Sequence, residues 1–543
     1  MLQGTVDWPA ETAARYRAAG LWDGSTLFGL LRGSAARWPD KAALVAGDRR
    51  LSYAELQQQA TRLAARLLRL GLAPRDRVVM QLPNILEFAV VYFALARIGA
   101  IPVMALRPHR HAEIRHFLNA SGARAYVIAE RIGDFDYRNM VEQLRAEAPA
   151  LRHVIVVGDA LPGQQAYADL VREGPFEPPE VPVDPAEVGT MLLSGGTTSM
   201  SKLIPRTHQD YVLNARLCGR AAGFDEGTVF MAILPLGHNY NLASPGMLAT
   251  LLYGGTVVLA PSTQTDEIFA TVQRERVTHI AAVVPLIATW LASDVETRYD
   301  LRSLRVVQNG GARLAPELRA RLRERFGCTP QEIYGTAEGL INMTRLDDAD
   351  EPLLNSSGAP VCDEDEIRVL DEQDRDVAEG ESGELVTRGP YTIRGYYDAA
   401  DKNAEAFTAD GFYRMGDIVR KRGRHVYAEG RRKDFINRGG EKISCEEIEN
   451  LMFAHPKVKS ATLVAMPDAV FGEKACAFVV PHPGQSLSFD ELIAFLLRQQ
   501  IASFKLPERL EIVDELPVSP VGKILKRQLR EAIALKLQQE QHP

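Results

Sequence analysis

The stretch Thr190-Met-Leu-Leu-Ser-Gly-Gly-Thr-Thr-Ser-Met-Ser-Lys202 opens as an apolar strand, Thr190–Leu193, and runs into a loop of glycines and hydroxyls that ends on a lysine. Successive small residues let backbone N–H groups converge on an anion, and the hydroxyls add donors. Lys202 adds a point charge. By composition alone the same run is equally a flexible Gly/Ser loop. It is not a Walker A loop, because Ser201 precedes Lys202 where glycine is required and Leu203 follows it where Ser or Thr is required.

Outward from this loop, short apolar runs alternate with helical periods. The runs Arg77–Leu82, Ala125–Ala129, His153–Val157, Val229–Leu234, Thr256–Ala260, Ile280–Val284 and Leu304–Gln308 read as buried strands, with helices such as Tyr53–Leu70 and Pro316–Phe326 between them. That alternation predicts an α/β fold of parallel sheets with crossover helices. Near residue 355 the texture changes. Gly, Asp and Pro recur between short strands (Glu384–Thr387, His425–Tyr427), which predicts a β-rich subdomain over about 355–430. The dense polar run Gly430-Arg-Arg-Lys-Asp434 reads as a domain boundary at 431–434. Beyond it a compact unit is expected: helix Cys445–Ala454, strands Ala461–Ala465 and Ala475–Val480, helix Ser488–Gln499, and a basic loop and helix from Val521 to Gln541.

The 543 residues are 46% hydrophobic and 24% charged, the balance of a globular multidomain protein rather than a disordered or fibrous one. A net charge of -7 argues against nucleic acid as a partner. Five scattered cysteines without a CxxC suggest neither a zinc cage nor a disulfide framework and suit a reducing cytoplasm. Residues 1–10 do not read as a signal peptide, and the most apolar stretch, Phe88–Ala96, is too short to span a bilayer.

Five motifs then appear in order: the 194–202 loop, Tyr334-Gly-Thr-Ala-Glu338, Tyr413-Arg-Met-Gly-Asp417, Gly430 to Lys442, and Pro520-Val-Gly-Lys523. In this order they resemble the adenylate-forming superfamily of acyl-CoA synthetases, luciferases and peptide-synthetase adenylation domains, over essentially the whole chain. The runs His238–Pro245, Gln308–Ala312 and Glu338–Asn342 resemble, more narrowly, the stand-alone aryl-acid ligases of siderophore assembly. The resemblance implies an acyl-CoA-synthetase-like architecture: a large core over 1–431, a hinge at 432–434, and a small mobile α+β domain over 435–543. It also implies a two-step reaction. A carboxylate attacks the α-phosphate of ATP held with Mg²⁺, giving an acyl adenylate and pyrophosphate. A thiol then attacks the mixed anhydride. Charge neutralisation and in-line geometry carry the first step.

Under this resemblance Ser194, Gly195, Gly196, Thr197, Thr198 and Lys202 hold the β and γ phosphates. Glu338 binds Mg²⁺, a hard cation suited to oxygen ligands. Gly310 and Gly311 let the backbone approach the adenine, with Tyr334 and Gly335 beside them. Asp417 and Arg431 reach the ribose. Lys523 bridges the substrate carboxylate and the α-phosphate, and His238 joins it in the catalytic set. Lys433 is the hinge about which the C-terminal domain swings, and Arg438, Gly439 and Gly440 line the thiol's path. Read as isolated residues, Glu338 is a surface acid, Asp417 a turn cap, Lys433 a linker lysine and Lys523 a solvated lysine.

Amino-acid-activating relatives carry an aspartate, after an aromatic residue, to pair with the substrate ammonium. Here the positions read His238-Asn239. A neutral amide cannot supply that counter-charge, so the substrate is expected to lack an α-amine. Asn239 is then expected to bond a hydroxyl beside the carboxylate, Tyr240 to wall the ring, Ser244 to pair with a second hydroxyl, and Ala312 and Ile341 to bound the ring. Ser244, in place of the cysteine of salicylate-specific relatives, favours 2,3-dihydroxybenzoate over salicylate. The thiol is expected on the phosphopantetheine of a separate carrier protein; an aryl-CoA synthetase is the alternative, and a non-catalytic paralogue a further one. Ser199 and Ser201 replace the Gly and Pro of many relatives, and Ala337 replaces the usual threonine before the magnesium glutamate.

Overall fold

The computed structural model describes residues 2–172, 179–194, 201–431, 434–438, 441–468, 470–499, 501, 503–519 and 524–541. Two large sheets build the first part of the chain. A nine-stranded sheet runs, edge to edge, Ala359–Pro360, Gly339–Met343, Thr329–Thr336, Val306–Gly310, His279–Ala282, Val229–Ala232, Thr256–Leu259, Ala42–Ala46 and Arg49–Ser52. Its central pairs are parallel and its outer pairs antiparallel. A seven-stranded sheet runs Leu203–Thr207, Val188–Leu193, Ile101–Met104, Arg77–Gln81, Ala125–Ala129, His153–Val157 and Gln165–Ala166, parallel except for its first pair.

The helices between these strands bury themselves as their sequences dictate. The most apolar stretch forms the helix Leu86–Arg97, whose residues Phe88–Ala96 are all buried. A helix apolar all round has to be covered on every side. Tyr53–Arg69 instead has one apolar face, and a capping box between Ser52 and Glu55 starts it. The expected strand Ile280–Val284 ends at Ala282, because Pro285 lies in the first turn of the helix Val284–Leu291. Proline is preset for that position and cannot donate in a strand.

Four antiparallel strands, Glu366–Leu370, Ser382–Arg388, Tyr413–Arg422 and His425–Arg431, form a third sheet. The C-terminal part builds its own sheet in the order Glu441–Ser444, Phe435–Arg438, Gly472–Pro481 and Val458–Asp468, with Arg509–Ile512 alongside Gly472–Pro481. Alternate residues of its strands enter two separate cores. Leu463 and Ala477 pack with Ile448 and Leu492 on one face, and Val464 and Phe478 pack with Leu529 and Ile533 on the other. The period-2 pattern of a strand covered on both faces accounts for the split. Among the described residues no helix is long and apolar enough to cross a membrane.

Candidate active site

The two described ends of the glycine-hydroxyl stretch, Ser194 and Lys202, continue a pair of strands. Val188–Leu193 and Leu203–Thr207 pair antiparallel, and Ser194 and Lys202 are bonded to each other. Ser194 N–H donates to the Lys202 carbonyl at 3.0 Å, and Lys202 N–H donates to Ser194 Oγ at 2.9 Å. Gly195, Gly196, Thr197 and Thr198 lie outside the described residues. Directly after the hairpin, Thr207 caps the helix His208–Ala221 in a box with Asp210. Asp210 also pairs with Arg206 at 2.8 Å, both side chains fully buried, and burial raises the Asp210 carboxyl while Arg206 pulls it back. Arg206 Nη1 donates to the Ala337 carbonyl at 3.0 Å, tying this hairpin to a second one.

That second hairpin, Thr329–Thr336 with Gly339–Met343, carries Glu338 in its turn. Thr336 Oγ1 donates to the Gly339 carbonyl at 3.0 Å, and Ile393 N–H donates to the Glu338 carbonyl at 2.8 Å. Gly339 has φ +139°, and a Cβ there would stand 2.4 Å from Thr392 Cα, so only glycine fits. The Glu338 side chain is buried, and its Oε1 accepts from the Tyr396 hydroxyl at 2.8 Å. Lys202 Nζ stands 3.9 Å over the centroid of the same Tyr396 ring. Lys202 and Glu338, 136 positions apart by their numbering, thus meet around one tyrosine.

Asp417 lies in the Tyr413–Arg422 strand, buried, and its Oδ2 accepts from Tyr334 Oη at 2.8 Å. Its Cα partner across the strand pair is Arg431, whose side chain lies outside the described residues. Gly310 ends the strand Val306–Gly310, and Gly311 turns with φ +84°. The segment after them is held from below. Asn309 Nδ2 donates to the Ala312 carbonyl at 2.7 Å and to Glu332 at 3.0 Å. Arg319 pairs with Glu332 at 3.1 Å, both buried, and donates to the carbonyls of Leu314 and Ser356. Burial raises the Glu332 carboxyl and lowers the Arg319 guanidinium pKa, each opposed by the other's charge.

Three of the residues expected at the ring lie in or beside the short helix Asn239–Ala243, which holds Asn239 and Tyr240 and ends at Ser244. His238 Nδ1 accepts from Tyr240 N–H at 3.3 Å and caps it. Burial lowers His238 to about 4, so its imidazole is neutral near pH 7. The Tyr240 ring packs on Gly310, where a Cβ would come within 2.9 Å of it. On the neighbouring strands a Cβ at Gly335 would lie 2.7 Å from Ile341 Cδ1. Asn239 and Ser244 belong to one buried network. Tyr211 donates to Asn239 Oδ1 at 2.9 Å, Asn239 Nδ2 donates to Ser244 Oγ at 3.2 Å, and Asn214 Nδ2 donates to Ser244 Oγ at 3.1 Å. Asn214 Nδ2 also donates to the Ala243 carbonyl, which fixes the orientation of its amide and leaves its buried Oδ1 unpartnered. Behind the Ile341 strand, Tyr391 accepts from Ile341 N–H at 3.5 Å and donates to Asp365. The Asp365 carboxyl is raised to about 8, chiefly by desolvation, and its Oδ1 is shut from solvent without a partner.

In the C-terminal part, Arg438 pairs with Glu508 at 2.7 Å and lies over the Phe471 ring. Lys433, Gly439, Gly440 and Lys523 lie outside the described residues. The structure thus brings Lys202 to Glu338, Tyr334 to Asp417, and Tyr240 to Gly310. Tyr396, Asn214, Tyr211, the Arg206–Asp210 pair and the Arg319–Glu332 pair were not marked by any motif. Only Thr207-His-Gln-Asp210 carried a signal, the spacing of a capping box.

The chain belongs to the AMP-binding enzyme family: the family's main domain matches residues 31–397, and the AMP-binding enzyme C-terminal domain matches residues 447–523. It is similar to the 2,3-dihydroxybenzoate-AMP ligase of Bacillus subtilis, 47% identical over 541 residues that cover 99% of each chain. It is also similar to the salicyl-AMP ligase / salicyl-S-ArCP synthetase of Mycobacterium tuberculosis, 44% identical with 97% of this chain and 94% of that one covered. Among solved structures, apo MbtA of Mycobacterium smegmatis matches with a TM-score of 0.76 at 41% identity, over 97% of this chain and 98% of that one.

Proposed function

We propose that this enzyme activates an aryl acid, 2,3-dihydroxybenzoate, with ATP and passes the acyl group to the phosphopantetheine thiol of a separate aryl carrier protein in siderophore biosynthesis, in the cytoplasm. One observation carries the substrate: the buried Asn214–Asn239–Ser244 network beside the Tyr240 ring. It offers neutral donors and an unpartnered amide oxygen, which suit phenolic hydroxyls and give an ammonium no counter-charge. The similarity to the Bacillus subtilis ligase supports the same choice, and the synthetase name printed for the Mycobacterium tuberculosis relative supports a carrier as acceptor.

In the first step a carboxylate oxygen of the acid forms a bond to the α-phosphorus while the bond to pyrophosphate breaks. Lys523 bridges the two anions as charge develops between them. Lys202 with Ser194, Gly195, Gly196, Thr197 and Thr198 holds the β and γ phosphates, Asp417 holds the ribose with Arg431, and Gly310, Gly311, Tyr334 and Gly335 frame the adenine. His238, which caps the first turn of the helix Asn239–Ala243, joins Lys523 in the catalytic set. Mg²⁺ in such sites takes one or two carboxylates and completes its shell with phosphate oxygens and water. The single buried carboxylate of Glu338 fits that need, and bound there the cation would neutralise phosphate charge. In the second step the thiolate attacks the acyl carbon and AMP leaves. Lys433 in the 432–434 hinge turns the 435–543 domain between the steps, and Arg438, Gly439 and Gly440 line the thiol's path.

The test is substrate-dependent ATP–pyrophosphate exchange with 2,3-dihydroxybenzoate, salicylate, benzoate and several amino acids. Exchange led by 2,3-dihydroxybenzoate is expected. Exchange with salicylate alone overturns the pocket reading, and exchange with none of the aryl acids overturns the reaction.

A further inference from the structure

Tyr396 touches two charged side chains of the site. Its hydroxyl donates to Glu338 Oε1 at 2.8 Å and lies 3.2 Å from Tyr413 Oη, while Lys202 Nζ sits 3.9 Å over its ring. The segment that carries it is fastened on both sides. Tyr397 N–H donates to the carbonyl of Leu203, the residue after Lys202, and Ile393 N–H donates to the carbonyl of Glu338. Asn403 holds the Tyr396 backbone through both its N–H and its carbonyl. The ring is 2% exposed and therefore has a single place to be.

An ammonium and a carboxylate brought to the same side chain attract each other. Collapsed into a pair, each would satisfy the other and neither would be ready for an incoming ligand. Here each has a different partner on one side chain: the π face takes the ammonium, and the phenol takes the carboxylate as a charge-assisted hydrogen bond.

We propose that Tyr396 is a positioning residue that holds Lys202 and Glu338 apart and separately oriented, so that phosphate oxygens find the ammonium and a divalent cation finds the carboxylate. This rests on the reading of Glu338 as the cation's ligand.

The test is ATP binding measured calorimetrically without aryl acid, across a Mg²⁺ titration, with AMP binding in the absence of metal as the internal reference. Tyr396→Phe keeps the ring and loses the donor. It is expected to raise the Mg²⁺ concentration for half-maximal ATP binding by about ten-fold, the scale of one hydrogen bond to a charged group, and to leave AMP affinity unchanged. Tyr396→Leu also removes the π face, and is expected to weaken ATP relative to AMP further. If Tyr396→Leu fails to fold, Tyr396→Phe carries the test alone. Wild-type Mg²⁺ dependence in Tyr396→Phe, with that dependence lost in Glu338→Gln, overturns the role of Tyr396 and spares that of Glu338. Wild-type Mg²⁺ dependence in Glu338→Gln overturns both.

Discussion

The Tyr334 hydroxyl donates to Asp417 Oδ2 at 2.8 Å across 83 residues of sequence, joining the nine-stranded sheet to the four-stranded one. The bond orients one carboxylate oxygen from the protein side. Asp417→Ala is therefore expected to lower kcat/KM for ATP about 100-fold, and Tyr334→Phe about ten-fold, the scale of losing two charged hydrogen bonds against one. Pyrophosphate exchange at varied ATP gives both values. Equal kinetics in Asp417→Ala and wild type would remove the ribose role.

Lys523→Ala is expected to slow adenylation by orders of magnitude while sparing thiol transfer from supplied acyl adenylate. Stabilisation of charge that exists only during the first half-reaction cannot affect the second. The two half-reactions are measured separately by single-turnover assay, and an equal loss in both sinks the bridging role.

Ser244 Oγ accepts from two amides, so its hydroxyl donates its own proton, with the Cys218 thiol beside it and a substrate oxygen as the competing acceptor. Ser244→Cys is expected to shift the kcat/KM ratio of 2,3-dihydroxybenzoate to salicylate toward salicylate, and Asn214→Leu to shift it in the same direction, each by about 10- to 100-fold. An unchanged ratio in both variants takes this network out of the specificity argument.

The Arg319–Glu332 pair has no solvent to fall back on. Arg319→Ala leaves Glu332 charged or newly protonated in the interior and frees the carbonyls of Leu314 and Ser356. A loss of about 3–5 kcal/mol is expected, read by urea unfolding, together with weaker AMP binding because the segment after Gly311 loses its support. A variant as stable as wild type would show that the pair contributes nothing.

Asp365 gives a pH signature. Its folded-state value, raised to about 8, lies above the ordinary carboxyl value of 3.8. The folded chain keeps a proton that the unfolded chain releases, so this group's contribution is complete below 3.8 and is lost as pH rises toward 8. Asp365→Asn has no such proton. The thermal midpoint of the variant relative to wild type is expected to climb from pH 5 to pH 8. A constant difference would mean that Asp365 is ionised in the fold.

The fold was legible because its strands are written as unbroken apolar runs. Ala125–Ala129 and His153–Val157 sit in the structure where the sequence puts them, and the Gly/Asp/Pro texture after residue 355 belongs to the antiparallel sheet Glu366–Arg431. Strand ends were less legible. Leu304–Gln308 shifts to Val306–Gly310, since Gly310 pairs in register with Ile333 despite lacking a side chain. Residues that sit in motifs, such as Glu338, Asp417 and Lys202, could be nominated from spacing. Their partners could not. Tyr396 and Asn214 lie in runs with ordinary composition, and only the crossing of distant hairpins and helices places them beside Glu338 and Ser244.

The packing of Tyr240 on Gly310 has a consequence for redesign. The ring already fills the volume that a methyl at position 310 would take. An alanine there would force the tyrosine ring to move in one jump, with no graded series between. Position 310 is thus a spacer of fixed width.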